Sequence, residues 1–221
     1  MMKTKLLLVA QLCVFLILQG CSTYLTKQSA FPLMYEKSPL VILIAPPINL
    51  STAANAKEYY STTITEPLAE YGYYVLPYEI TSEILKANGA YDSELFVNLP
   101  LTTFRDYFDA DAVLFTTINK WDMSYLVVAS NMTVGITCTL KSTDAAEVLW
   151  SYSGELKVDL TDRNQGNVLA QVIATAINSA VADYVPYARK ANFMTLSTIP
   201  FGKYHKMHNM DKNVQVRMLS N

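Results

Sequence analysis

Residues 40–47, Leu-Val-Ile-Leu-Ile-Ala-Pro-Pro, form the stretch that decides the fold. Their continuous apolar run predicts a strand buried on both faces, as in a parallel sheet with helices on each side. The two prolines end this strand and direct the chain into an extended exit. A predicted helix over residues 102–108 leads into a second apolar run at residues 112–115. A helix that feeds a buried strand indicates an α/β fold.

Two longer segments have the spacing of amphipathic helices. Residues 55–71 place Ile64 and Leu68 on one stripe, and Gly72 supplies a stop signal. Residues 164–184 carry a wide apolar stripe and predict the last strong helix. We expect this helix to pack across the sheet.

The middle of the chain has the alternation of β-strands. Apolar residues at every second position from Met132 to Leu140 predict a half-buried strand, and a turn is expected at Asp122. These strands read as antiparallel hairpins added to the α/β core. The predicted architecture is therefore a single α/β domain of three-layer type, with a mixed sheet and helices.

The start of the chain resembles a lipoprotein signal. Lys3 and Lys5 precede an apolar core that ends at Leu18, and Gln19, Gly20 and Cys21 follow. This core is too short to span a bilayer. We predict that Leu18 and Gly20 are recognised by the signal peptidase and that Cys21 carries acyl chains, palmitate among them. The alternative is an ordinary signal peptide with a plain thiol at Cys21, but no A-x-A-like cleavage site is present.

These signals divide the chain into four predicted parts. Residues 1–20 are the signal peptide, and residues 21–38 are the lipidated N-terminus and a polar, Pro-punctuated tether. The α/β domain spans residues 39–190, and residues 191–221 are a partly disordered C-terminal extension. Ser22, rather than Asp, follows the cysteine. It resembles the sorting pattern of lipoproteins on the periplasmic face of the outer membrane.

Composition argues against nucleic acid as a partner. The leader holds two of the 17 basic residues and none of the 19 acidic ones, which leaves a net charge of −4 on the mature chain. Basic residues are scattered, apart from a mild cluster at Lys203, Lys206, Lys212 and Arg217. Cys138 has no partner for an intramolecular disulfide once Cys21 is acylated, and the alternating pattern around it predicts a small buried hydrophobe.

Catalytic motifs are missing from the sequence. No phosphate loop, GxSxG elbow, HExxH helix or CxxC pair occurs, so we predict a protein that is not an enzyme and binds no metal or cofactor. His205 and His208, with Asp211 nearby, form an incomplete ligand set. Asp106, Asp109 and Asp111 are expected to terminate or cap a helix rather than bind calcium, because the Gly and Glu of a calcium loop are absent.

Several segments in a specific order resemble the genome-derived-antigen lipoproteins, a bacterial family of unknown function. They are Pro39–Ile48, Thr63–Pro77, Leu99–Leu114, Glu147–Trp150 and Ile199–His205. The resemblance implies an α/β domain like the N-terminal domain of TolB and the periplasmic domain of CsgG. It also implies a place beside a CsgG-like lipoprotein in an envelope assembly, since such genes often neighbour one another. It supplies no catalytic residues.

Three hypotheses for the function follow. The leading one is a lipid-anchored interaction module of the outer membrane that binds other envelope lipoproteins, with a CsgG-like protein as the partner that the resemblance implies; assembly into an oligomer is compatible with it. The second is a lipoprotein regulator of a peptidoglycan synthase. The third is an enzyme or a domain that binds a small ligand, with its site at the carboxyl ends of the core strands, near Pro46, Pro47 and Asn49.

Overall fold

The structure, a computed structural model, describes residues 23–87, 89, 93–125, 130–159 and 184–218. The leader with Leu18, Gly20 and Cys21 lies outside the described residues. The helix predicted over residues 164–184 also lies outside them, except for Tyr184.

A mixed sheet forms the centre of the molecule. The strands of the described chain are β1 (Thr23–Thr26), β2 (Val41–Ile44), β3 (Ile48–Asn49), β4 (Tyr74–Val75), β5 (Ala112–Tyr125), β6 (Ser130–Ser142), β7 (Val148–Asp159) and β8 (Gln215–Met218). In the central sheet they run in the order β4-β2-β5-β6-β7, and β3 pairs with β5 beyond the end of β2. The pairs of β5 with β2 and β3 and of β2 with β4 are parallel, whereas β5, β6 and β7 form an antiparallel meander.

Helices cover both faces of this sheet. The α-helices of the described chain are α1 (Lys27–Ala30), α2 (Pro32–Lys37), α3 (Ala56–Glu70), α4 (Tyr78–Ala87), α5 (Ser93–Asn98), α6 (Leu101–Phe108) and α7 (Val185–Thr195). One face is covered by α2, α3 and α7, and the other by α4, α5 and α6. The predicted three-layer α/β fold with a mixed sheet is confirmed. Within the described part of the chain, no helix is both long and apolar enough to cross a membrane.

Strand β2 supplies side chains to two separate cores. Ile42 and Ile44 point into the larger core, beneath α3 and α7, whereas Leu43 points into the smaller core, beneath α4, α5 and α6. All three side chains are fully buried. The apolar run that decides the fold therefore serves both faces, as a central parallel strand must.

The predicted tether is folded. Thr23 to Thr26 form β1, and α1 and α2 follow directly, with Phe31 and Met34 buried in the larger core. The prediction of a tether over residues 21–38 is thus wrong for residues 23–37. The sequence of this segment is polar and shows no period, so it does not predict a strand. The strand forms because it pairs with one almost 200 residues away, with Thr23 opposite Met218.

Residues 191–218 of the predicted C-terminal extension are also part of the fold, so the predicted partial disorder is wrong for these residues. Helix α7 continues to Thr195, and β8 pairs with β1 to form a two-stranded sheet, here called the terminal ribbon. Residues 199–214, the C-terminal arm, pack on the end of α3. Gly202 donates its N–H to Tyr71 O at 2.8 Å, and a Cβ at Gly202 would lie 2.5 Å from Gly72 O. Only glycine allows this close approach.

The hairpins are longer than predicted. Strand β5 continues through Asp122 to Tyr125, so the predicted turn at Asp122 is wrong. Asp122 pairs with Thr133 in the ladder, and the neighbouring Trp121 is buried in the larger core, which favours continuation of the strand. The alternation from Met132 to Leu140 is confirmed, because its apolar members are all fully buried.

Candidate functional site

A groove lies on the helical layer above the smaller core. It has a volume of about 440 Å³ and lies between α4, α5 and α6; we call it the helical groove. Its apolar lining comprises Ile84, Leu85, Leu95, Leu99, Tyr107 and Phe108. Asn98 and Thr103 add polar atoms. This volume lies in the range of about 300–1,000 Å³ that is typical of ligand pockets.

The local fold explains why apolar side chains face solvent here. Each of the three helices buries one large apolar anchor in the smaller core, namely Leu85, Phe96 and Phe104. The helices are only six to ten residues long and leave other apolar side chains outside. Leu95 is 45% exposed and Tyr107 is 71% exposed.

The helices that form the helical groove carry more acidic than basic side chains on their exposed surfaces. The exposed acidic residues of α4, α5, α6 and the residue that follows α6 are Glu79, Glu83, Glu94, Asp106 and Asp109. The exposed basic residues of the same elements are Lys86 and Arg105. This excess of negative charge favours a ligand or partner that carries positive charge beside its apolar part.

The terminal segments are held by a buried ion pair. Lys27 Nζ lies 3.1 Å from Asp211 Oδ2 and donates to Ile199 O at 2.7 Å. Asp211 also accepts from Phe201 N–H at 3.0 Å and from Tyr35 O–H at 3.2 Å. Burial, followed by the Asp211 charge, raises the pKa of Tyr35. Each charged group is thus paired and hydrogen-bonded, which makes the arrangement structural.

The two histidines of the C-terminal arm have structural contacts. The His205 ring stacks on Phe201 with ring centroids 3.8 Å apart, and its Nδ1 accepts from Met207 N–H at 3.0 Å. His208 Nδ1 lies 2.9 Å from Phe201 O. Asp211 faces Lys27 instead of the histidines. Among the described residues, no group of three or more His, Cys, Asp or Glu side chains is arranged to hold a metal ion.

The aspartates that follow α6 terminate the helix and join it to the sheet. Asp109 has a left-handed backbone conformation (φ 51°) and ends α6. Asp111 Oδ2 accepts from Leu40 N–H at 2.8 Å and from Val41 N–H at 2.9 Å. It therefore fixes the start of β2 beside the start of β5.

Cys138 is a buried core thiol. Its Sγ lies 3.4 Å from Thr116 Oγ1, which is 2.6 Å from the hydroxyl of the fully buried Tyr60. Burial raises the pKa of Cys138 to about 11. The thiolate needed for nucleophilic attack is scarce at neutral pH, so this site does not have the properties of a catalytic cysteine.

The carboxyl end of β2 leads into a self-contained turn. Asn49 Nδ2 donates to Ala53 O at 2.8 Å, and Asn49 Oδ1 accepts from the N–H and hydroxyl of Ser51. The amide of Asn49 is thus engaged within its own loop. The helical groove, lined by other residues, was not predicted from the sequence. In the sequence, only Ile80 and Ile84, one turn apart on α4, hinted at an apolar surface here. Whether they are exposed depends on where α5 and α6 pack, which the sequence does not show.

Comparison with known proteins identifies related chains. Residues 31–199 match a family model described as "Putative lipoprotein GNA1162-like". The chain is 27% identical over 171 residues to putative lipoprotein NMB1124/NMB1162 of Neisseria meningitidis serogroup B, covering 77% of this chain and 79% of that protein. The crystal structure of lipoprotein GNA1162 from Neisseria meningitidis superposes with a TM-score of 0.51 and 27% identity, covering 63% of this chain and 96% of that one. The PelC dodecamer from Paraburkholderia phytofirmans gives a TM-score of 0.47 and 13% identity, covering 83% and 99%.

Proposed function

Since this chain belongs to the GNA1162-like family of lipoproteins, we propose that it is a lipid-anchored interaction module of the bacterial cell envelope. In this proposal, acylated Cys21 holds the chain on the periplasmic face of the outer membrane. The helical groove then binds a protein partner without catalysis. The family membership agrees with the resemblance drawn from the sequence.

The exposed apolar side chains of the helical groove carry this proposal. Ile84, Leu95 and Tyr107 line one concavity and are 42%, 45% and 71% exposed. Ile80, one turn before Ile84 on α4, is 58% exposed. Monomeric soluble proteins rarely leave large contiguous apolar patches in water, and those that do generally use them for binding.

Charge selects the kind of partner. Glu83 and Glu94 lie beside the apolar residues Ile84 and Leu95, and the acidic residues of these helices outnumber the basic ones. We therefore propose that the occupant is an apolar segment of an envelope protein flanked by Lys or Arg. The partner implied by the family resemblance is a CsgG-like lipoprotein. Anchoring in one membrane raises the effective concentration of the two proteins, so a modest groove suffices for binding.

Site-specific photocrosslinking in cells tests this proposal. A photoreactive amino acid replaces Leu95 in the helical groove or, as the matched control, Val148 on the edge of the sheet, which is similarly exposed at 49%. We expect a crosslink to one envelope protein from position 95 and little from position 148. The double substitution Glu83→Lys and Glu94→Lys should weaken the crosslink at least severalfold.

The identity of the crosslinked molecule separates the hypotheses. A CsgG-like protein in the product supports the proposal in full. A peptidoglycan synthase would replace the partner and favour the regulator hypothesis. A small molecule that co-purifies with the protein and protects position 95 would favour the ligand-binding hypothesis, which the volume of the groove also fits. Equal crosslinking from both positions would contradict the helical groove as the docking site.

A further inference from the structure

The terminal ribbon fixes the start of the described chain firmly to the domain. Tyr24 pairs with Arg217 and Leu25 with Val216 in its antiparallel ladder. Immediately after β1, Lys27 donates its backbone N–H to Val214 O at 2.8 Å. The buried Lys27–Asp211 ion pair locks the same region to the C-terminal arm. The chain is therefore bound into the fold from Thr23 onward.

Covalent geometry then limits the distance between the domain and its anchor. Cys21 precedes Thr23 by two residues, and an extended chain spans at most about 3.3–3.6 Å per residue. Whatever conformation the linking residues adopt, Thr23 lies within about 7 Å of the acylated cysteine. The end of the terminal ribbon where Thr23 pairs with Met218 must consequently lie close to the lipid headgroups when Cys21 is anchored.

The surface at this place has the chemistry of a membrane interface. Several large apolar or aromatic side chains are exposed on the terminal ribbon and the C-terminal arm: Tyr24, Tyr204, Met207, Met210 and Val214. Tyr24 and its cross-strand partner Arg217 share the outward face of the ribbon, whereas Val216 faces the larger core. Tyrosines and apolar side chains of this kind are favoured where one end is apolar and the other wet.

The charge of this surface is positive. Lys203, Lys206 and Arg217 are exposed. Asp211 is the only acidic residue between positions 199 and 218, and it is buried against Lys27. Basic side chains near a bilayer are attracted by anionic lipids and extend their charged ends to the headgroups.

We propose that the outward face of the terminal ribbon and the C-terminal arm form a surface that seats the domain on anionic phospholipid headgroups beside the lipid anchor. This inference rests on the proposed acylation of Cys21. The ribbon joins the larger core through Val216, whereas the helical groove belongs to the helix layer on the other face of the sheet. Seating therefore leaves the groove open to partners in the periplasm.

Fluorescence quenching on the reconstituted lipoprotein tests the seating. The full-length protein, purified from membranes, carries an environment-sensitive dye at Met210→Cys on the C-terminal arm. The matched control carries the dye at Leu95→Cys in the helical groove. Cys138 is buried and stays unlabelled. In vesicles of phosphatidylethanolamine and phosphatidylglycerol, we expect iodide to quench the dye at position 210 at least threefold less efficiently than the dye at position 95. Equal quenching would overturn the proposal.

Substitution of the basic residues tests the role of anionic lipid. The mature chain with Cys21→Ser is mixed with the same vesicles and sedimented at low salt. Each of the single substitutions Lys203→Gln, Lys206→Gln and Arg217→Gln removes one basic side chain from this surface. Each should weaken binding to the vesicles about fivefold. The substitution Lys86→Gln, at the helical groove, should have no effect. The proposal would be contradicted if the affinity for vesicles changed neither with the phosphatidylglycerol content nor with these substitutions. Shielding of position 210 seen only in whole envelopes, and not in protein-free vesicles, would assign the surface to an acidic protein instead.

The experiments distinguish a protein that is not acylated at Cys21 from an acylated protein whose surface does not contact the bilayer. If Cys21 is not acylated, the wild-type protein and Cys21→Ser will bind equally to vesicles that lack anionic lipid. If Cys21 is acylated but the surface does not contact the bilayer, the wild-type protein will bind vesicles of every composition. Iodide will then quench the dye at position 210 as efficiently as the dye at position 95.

Discussion

The helices that cover the two sides of the central sheet differ in how much apolar surface they bury. On the side of the larger core, α3 and α7, which are 15 and 11 residues long, cover the sheet, and Lys27, Asp211 and the amide nitrogen of Asn192 are hydrogen-bonded in the interior. On the side of the smaller core, three short helices leave Leu95 and Tyr107 in solvent. Both sides share strand β2. On the larger-core side these polar groups are buried, whereas the helices on the smaller-core side leave apolar side chains exposed, and these are the side chains to which the proposed function assigns binding.

The largest loss of stability should come from breaking the buried ion pair beside the larger core. Lys27→Ala leaves Asp211 as a buried carboxylate without its cation, which costs about 3–5 kcal/mol of the free energy of unfolding. Urea denaturation of the mature chain measures this loss. The control is Arg189→Ala, which removes the half-exposed partner of Glu66 and should cost at most about 1 kcal/mol. Equal losses would show that burial does not distinguish the two pairs.

Two isoleucines on helices offer a matched comparison of the two sides. Ile64 on α3 is fully buried, whereas Ile84 on α4 is 42% exposed. Ile64→Ala should destabilise the protein by about 2–4 kcal/mol, because it removes buried surface and leaves a cavity. Ile84→Ala should change stability by less than about 1 kcal/mol yet reduce crosslinking in the helical groove. The comparison breaks if Ile84→Ala destabilises as strongly as Ile64→Ala.

Two asparagines allow the same comparison for polar groups. Asn192 on α7 is fully buried and donates to Thr63 Oγ1 at 2.8 Å and to Tyr60 O at 3.2 Å. Asn192→Ala should cost about 1–3 kcal/mol, since the acceptors on α3 lose their donor. Asn98 donates to Glu94 O on the exposed surface of α5, and Asn98→Ala should stay within about 0.5 kcal/mol. Thermal unfolding of both variants provides the measurement.

The smallest effect is expected for an exposed ion pair outside the larger core. Lys37 on α2 lies 2.9 Å from Asp144 in the turn between β6 and β7. Hydrogen bonds, first from Lys37 and then from Ser142 and the backbone N–H of Ala145, lower the pKa of Asp144 from its usual 3.8 to about 2. The contribution of ionised Asp144 to the free energy of unfolding is therefore fully present above pH 3.8 and is lost as the pH falls through about 2. The melting temperatures of wild type and Asp144→Asn should differ slightly at pH 7 and converge near pH 2. A difference that persists at pH 2 would contradict this assignment.

The elements that were predictable from sequence are those whose signals are local. The run from Leu40 to Ala45 indicates a strand buried on both faces wherever it lies in the chain, and α3, α6 and the buried face of β6 follow from their own periodicity. The burial of Cys138 follows in the same way. Each of these segments carries its complete apolar pattern within a few turns or pleats.

What escaped prediction depends on distant partners. Thr23 to Thr26 become a strand only because Gln215 to Met218 provide the ladder, and Lys27 is buried only because Asp211 neutralises it. The helical groove escaped for a related reason. The exposure of Ile80, Ile84 and Leu95 is set by how three short helices pack, and no local pattern records that arrangement.

The pairing of the first described residues with the last also has a consequence for export. Under the proposed lipid anchoring, the N-terminal signal leads the chain across the membrane, and β8 follows β1 by almost 200 residues. The partner of β1, and the carboxylate that neutralises Lys27, therefore arrive long after β1 itself. We expect the N-terminal segment to remain accessible for acylation during this interval, and the terminal ribbon to form only once β8 has crossed.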